Sequence, residues 1–299
     1  MMESSIKELK DTYNNDRIFV IGNGPSLNKT PLHRLSSEYT LAMNKINFIY
    51  EDVDWTPYFY YSALGPTYDT GGQVKENIEM DTICLLSSGW KKHYGNANNA
   101  YFFDIWSIHQ NKLFENLDIN KIHNMPVDYL QEFWSSNAAN FVYQYHSMYS
   151  AIQIVDYLGF DEIYFVGCDL GMPYLNPHMV FKSALDPYRF QGKKGEYVLE
   201  SIKDLTPLRS LVNAVVMKFI ISTDSRFLGY LFQQAFNETY FETKYADLSI
   251  FDGELKGTEY RRSHAVIKRI CENKNINVYN ATVGGELDIY DRVELNNIL

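Results

Sequence analysis

The groups best suited to hold a charged ligand are concentrated in Gly22-Asn-Gly-Pro-Ser26, which follows directly on the apolar run Ile18-Phe-Val-Ile21. Gly22 and Gly24 permit positive φ and let a ligand approach the backbone closely. Pro25 suits the first turn of a helix, where its missing N–H costs nothing, and Asn23 and Ser26 add side-chain hydrogen-bonding groups. A strand that ends in such a turn and opens a helix aims several amide N–H groups at one spot, an arrangement that binds phosphate. An ordinary strand-turn-helix corner is the competing reading. Two familiar phosphate motifs are absent. No third glycine stands near Leu27, and the end of the next run, Thr40-Leu-Ala-Met-Asn44, carries Asn44 where a dinucleotide site wants an acid for the ribose. Nor is there a Gly-Lys-Ser/Thr ending. Bound NAD and P-loop hydrolysis are not expected.

Other polar residues fall at related places. Ligands of open α/β sheets lie outside the carboxyl ends of strands, and Asn44, Ser62 and Asp169 each close an apolar run. Asp at such a place also serves as a turn former or helix cap. The run before Gly167-Cys-Asp-Leu-Gly-Met172 is expected to be central, so Asp169 is expected to face the same crevice as Gly22. His264 is expected in the first turn of the last helix, where the positive helix end favours a neutral imidazole, the state a general base needs near pH 7. A solvent-facing histidine beside Arg261 and Arg262 is the alternative. His146 falls within an expected helix and reads equally as a core residue. His33, His93, His109, His123 and His178 have no metal-site spacing. Asp52-Val-Asp54 has the form of a metal-diphosphate acid pair, but reads as an acidic surface turn.

The elements that must position these groups follow from hydrophobic patterning. Strands are expected at Ile18–Ile21, Thr40–Met43, Tyr58–Ser62, Thr82–Leu86 and Tyr101–Ile105. Ser135 is expected to cap a helix that runs to about Leu158 and stops at Gly159, with a buried strand over Glu162–Asp169. A last helix over Thr258–Asn273 precedes a strand at Ile276–Asn280. Alternation of strand and helix predicts an α/β fold, a Rossmann-like, doubly wound and mainly parallel sheet. The 299 residues form a single catalytic domain in this reading, with 171–257 as a helical, lid-like insertion rich in proline at its start.

Composition bounds the partners. A net charge of −10 argues against broad binding to nucleic acid or anionic membrane. No run reaches the ~18 apolar residues of a membrane span, and the start Met-Met-Glu-Ser-Ser lacks a signal peptide's basic and apolar parts. Cys84, Cys168 and Cys271 are too scattered for a disulfide framework or metal cluster. A cytoplasmic protein of a reducing compartment is expected, with its oligomeric state left open.

Taken together, Ile21-Gly-Asn-Gly-Pro-Ser26, Asn44, Leu158-Gly-Phe-Asp-Glu-Ile-Tyr-Phe-Val-Gly-Cys-Asp-Leu170 and the late His264 resemble bacterial lipooligosaccharide sialyltransferases and the motility-accessory-factor flagellin glycosyltransferases. Val278-Tyr-Asn-Ala-Thr-Val-Gly-Gly-Glu-Leu287 is more similar to the latter. The resemblance covers about 17–170 and 258–290. It implies a CMP-activated nonulosonic sugar as donor and a glycan or protein acceptor, with no bound cofactor or metal. Gly22, Asn23, Gly24, Pro25, Ser26, Asn44 and Ser147 would then lie along the nucleotide, where Ser62 is also expected from its place at a strand end. Gly167 and Asp169 would line the cytidine side, His264 would be the general base of an inverting displacement, and Tyr174 would steady the leaving phosphate. The family's Thr-Ser-Gly reads His146-Ser147-Met148 here. The same motifs are similar to archaeal-type hydroxymethylpterin diphosphokinases, which implies ATP and Mg²⁺ with Asp169 as a ligand. A non-catalytic nucleotide-binding module is the third reading.

Overall fold

A computed structural model describes residues 5–69, 72–108, 117–170 and 253–299. Its centre is an eight-stranded, wholly parallel sheet. The strands are β1 (Arg17–Ile21), β2 (Tyr39–Met43), β3 (Phe59–Ser62), β4 (Ile83–Ser87), β5 (Ala100–Phe103), β8 (Glu162–Val166), β9 (Asn277–Asn280) and β10 (Asp291–Arg292). Their order is β10-β9-β8-β1-β2-β3-β4-β5. The chain builds outward from β1 to β5 on one side and from β8 to β10 on the other, so the order reverses between β1 and β8. Strands β6 (Ile105–Ser107) and β7 (Val142–Gln144) pair separately, also in parallel. The described residues of Met1–Gly171 and Thr258–Leu299 form one compact unit.

The unalternating apolar runs reflect burial on both sheet faces. Ile18, Phe19, Val20 and Ile21 are all fully buried, though successive side chains point to opposite faces. After the short helices α1 (Gln73–Glu79), α2 (Lys91–Tyr94) and α3 (Val127–Gln131) come α4 (Ser147–Leu158) and α5 (Gly253–Asn273), and Ile18 and Val20 join a core with these last two through residues such as Ile152, Val155, Val266 and Ile270. Phe19 belongs to the opposite face, where it stacks on Tyr164 and Tyr164 on Tyr279, across three adjacent strands.

Several expected elements differ. The helix expected after Ser26 is a five-residue 3-10 segment, Pro25–Lys29. Pro31 accounts for its brevity, because it restricts Thr30 and cannot donate to a continuing helix. The helix expected from Ser135 begins only at Ser147. Ser135 instead donates its Oγ to Phe141 C=O (2.6 Å) and its N–H to Gln153 Oε1 (3.0 Å), within a chain reversal that leads into β7. Gln153 is fully buried, and its amide binds both ends of Tyr143, so one core glutamine joins α4 to β7. The expected stop at Gly159 is present, with φ at 99°. Tyr101–Ile105 divides between β5 and β6. The helix expected over Thr258–Asn273 starts at Gly253, which puts His264 at the middle of 21 residues and not in the first turn. Nearly all of the 171–257 insertion, with Tyr174 and His178, lies outside the described residues, as does His109.

At the reversal, the turns that leave β1 and β8 touch backbone to backbone. Gly167 has φ of 68°, and a Cβ there would lie 2.6 Å from Gly22 C=O. Gly284 has a similar φ of 75° but open space around it. Gly167→Ala is therefore expected to lower unfolding free energy by more than the ~1–2 kcal/mol of a left-handed alanine, and Gly284→Ala by no more than that. Urea unfolding of the two variants checks this; equal losses would mean that the two turns are free to part.

Candidate functional site

The carboxyl ends of β1, β2 and β8 form one hydrogen-bonded rim. Gly22 N–H donates to Val166 C=O (2.7 Å) and Gly24 N–H to Gly167 C=O (2.9 Å). Ser26 donates its Oγ–H to Asp169 Oδ2 at 2.7 Å and its N–H to the same oxygen at 3.4 Å. The amides expected to be open to a ligand are thus largely engaged by the β8 turn. This corrects the picture of a vacant cradle. The glycines correspondingly serve contact between the two turns: a Cβ on Gly22 would lie 2.5 Å from Gly167 C=O, and one on Gly24 would collide with the Asp169 carboxylate.

Asp169 is an unusual member of this rim. Burial raises its carboxyl above the usual carboxylate range, opposed by the Ser26 hydrogen bonds and the charge of Lys29. The loop after β9 supports it from behind. Glu286 N–H donates to Asp169 C=O (2.6 Å), and Gly285, with φ of 70°, leaves room that a Cβ would take from that carbonyl. Arg292 ties this loop down through the carbonyls of Thr282, Gly284 and Gly285.

Asn23 and Asn44 extend the rim toward β2. Asn23 Nδ2 donates to Met43 C=O (3.0 Å). Asn44 adopts φ of 55°, its carbonyl accepts from Tyr60 Oη (2.9 Å), and its Oδ1 accepts from Ser147 Oγ (3.2 Å). The helix start at Ser147 is thereby joined to a strand end more than a hundred residues earlier. Ser62 closes β3 on the same edge, but its Oγ turns to Leu64 C=O (3.4 Å). Asp52 and Asp54 are exposed in a turn that precedes β3.

His264 stands apart in environment. It is 3% exposed, and its ring lies against Phe165 of β8, Tyr290 and His146. Tyr290 Oη donates to His264 C=O and lies 3.0 Å from Nδ1, so the imidazole hydrogen is assigned to Nδ1 and the lone pair to Nε2. Burial lowers the pKa to about 3. The ring is neutral because water is excluded from it, and not because of a helix end. Nothing in the sequence groups His146, Ser263 and Tyr290, which come from three separate segments. His146 is the N-cap of α4, a place where histidine has no special preference.

A cavity of about 430 Å³ lies at the other end of β9, lined by Lys268, Glu272, Asn277, Tyr279 and Asp291 among others. It is separate from the rim described above. Among the described residues no group of three or more His, Cys, Asp or Glu is arranged to hold a metal ion, and no helix is long and apolar enough to cross a membrane. No family model, curated protein or solved structure matches the chain.

Two outcomes follow from these environments. Gly24→Ala is expected to destabilise strongly in the wild-type background and somewhat less with Asp169→Ala, which removes the carboxylate but leaves Gly167 C=O 2.8 Å from the added Cβ; a double-mutant cycle of urea midpoints measures this partial non-additivity. The second concerns His264. Its folded pKa lies below the ordinary 6.5, so the unfolded chain binds the proton first. Its contribution is complete above about pH 6.5 and is lost as pH falls toward 3, by up to ~1.4 kcal/mol per pH unit. Unfolding of His264→Gln between pH 7.5 and 5 is expected to show a correspondingly shallower loss; a slope equal to wild type would place the titration elsewhere.

Proposed function

We propose that this chain is a nucleotide-dependent group transferase with a Rossmann-like sheet, whose ligand lies beside the carboxyl ends of β1, β2 and β8. The observation that carries the reading is the convergence of Gly22–Ser26, Asn44, Ser147, Gly167 and Asp169 on the place where the strand order reverses. Within that class, the sialyltransferase-like resemblance favours transfer of a nonulosonic sugar from a CMP donor to a glycan or protein hydroxyl with inversion. Asn44 and Ser147 offer neutral polar groups to the nucleotide. A phosphate at Ser26 competes with the Asp169 carboxylate for the same two donors, so affinity reflects an exchange of one anion for another.

His264 separates catalysis from binding alone. In the transferase reading it accepts the acceptor's hydroxyl proton at Nε2. Its burial against Phe165 and depressed pKa favour a second reading, a nucleotide-binding module without this base.

Thermal-shift measurements with CMP, CDP, UDP, ATP with and without Mg²⁺, and NAD test the ligand. Selective stabilisation by CMP is expected, enhanced in Asp169→Asn and abolished in Ser26→Asp. A selective ATP–Mg²⁺ response would instead support diphosphate transfer, and a preference for NAD would overturn both. If His264 is the base, His264→Ala lowers turnover of a CMP-sugar by ~10²–10⁴-fold with CMP affinity retained, whereas Asp52→Asn has little effect. The binding-module reading predicts CMP binding without turnover in either protein.

A further inference from the structure

His146 joins three elements through one ring. As the N-cap of α4 it has extended backbone (φ −137°, ψ 167°), and its Nδ1 accepts from Tyr149 N–H at 3.3 Å. Its Nε2 lies 2.6 Å from Ser263 Oγ on α5, and Ser263 Oγ donates to Tyr260 C=O at 2.8 Å. Nδ1 accepts the Tyr149 N–H and so keeps its lone pair, which in the neutral ring assigns the imidazole hydrogen to Nε2, facing Ser263 Oγ. One residue further on, Ser147 Oγ donates to Asn44 Oδ1 at the end of β2.

We infer that His146 is an acid-released clamp: as a neutral imidazole it holds the first turn of α4 against α5, and with it Ser147 against Asn44, and protonation at Nδ1 releases that turn. The reason is local. A proton on Nδ1 turns the capping acceptor into a donor that confronts the Tyr149 N–H, and it places positive charge at the positive end of the helix. Among the described residues, the ring is faced by Tyr145 and Tyr149 from its own segment and by Tyr260, Ser263 and His264 from α5. Of these, His264 is held neutral by its burial. Release loosens the link between α4 and the strand-end rim, whichever ligand that rim takes, so the inference does not rest on the nucleotide reading.

Hydrogen exchange of the Tyr149 amide in the full chain, corrected for intrinsic rate, tests it at pH 7.5 and 5.5. Wild-type protection is expected to fall at the lower pH by about 2- to 30-fold, the range that an N-cap interaction is worth. In His146→Asn, which keeps a favoured and non-titrating cap, protection is expected to stay unchanged. Wild-type protection that ignores pH, or an equal acid loss in His146→Asn, would overturn the clamp. Should that variant not fold, ¹⁵N NMR of wild-type His146 decides. An Nε2–H tautomer whose Nδ1 protonation moves the Tyr149 amide with the same midpoint supports the clamp. An Nδ1–H tautomer, or an amide indifferent to the titration, refutes it.

Discussion

The parallel ladder of β1 on β8, continued by the close approach of Gly22 and Gly167, joins the two halves of the sheet where the strand order reverses. β1 and β8 pair along their whole length, and their exit turns remain in contact past the last ladder bond, through Gly22 N–H to Val166 C=O and Gly24 N–H to Gly167 C=O. Neither turn tolerates a Cβ at its glycine without displacing the other's carbonyl. With the backbones this close, Ser26 meets Asp169, and the loop carrying Glu286 closes behind.

That closeness sets the electrostatics of the rim. A carboxylate withdrawn from water is costly unless its oxygens are hydrogen-bonded, and the two Ser26 donors meet much of the need for Asp169. The turn is thus organised around an anion that belongs to the chain. Any phosphate bound there must displace or accommodate it. A ligand's hydroxyl or amine groups, by contrast, can add to the carboxylate's remaining acceptor capacity.

The two central histidines are held in place by different physical means. His264 is neutral because the core around Phe165 and Tyr290 excludes water, which penalises the imidazolium. His146 is held by hydrogen bonding, its Nδ1 accepting from the Tyr149 N–H at a helix N-terminus and its Nε2 lying 2.6 Å from Ser263 Oγ. The rings are 5.8 Å apart, yet only His146 has a bond to the helix that carries Ser147. Proximity in the core therefore does not make the two histidines equivalent.

The sequence by itself determined the parallel α/β class, because strands buried on both faces must be written as unbroken apolar runs, as Ile18–Ile21 and Ile163–Val166 are. It also determined that polar residues would gather at strand ends, and that α4 would stop at Gly159, since these depend on neighbours in the chain. The start of α4 was not legible, because it depends on Gln153 and on the bonds of Ser135 to distant groups. Nor was the filling of the Gly22–Ser26 turn, for Asp169 arrives from 143 residues away. The place of His264 in the core, and the partnership of His146 with Ser263, likewise required two helices to be packed together. Local patterning specifies which surfaces are apolar and where the chain turns; which polar groups meet across those turns is decided only when the strands are aligned side by side.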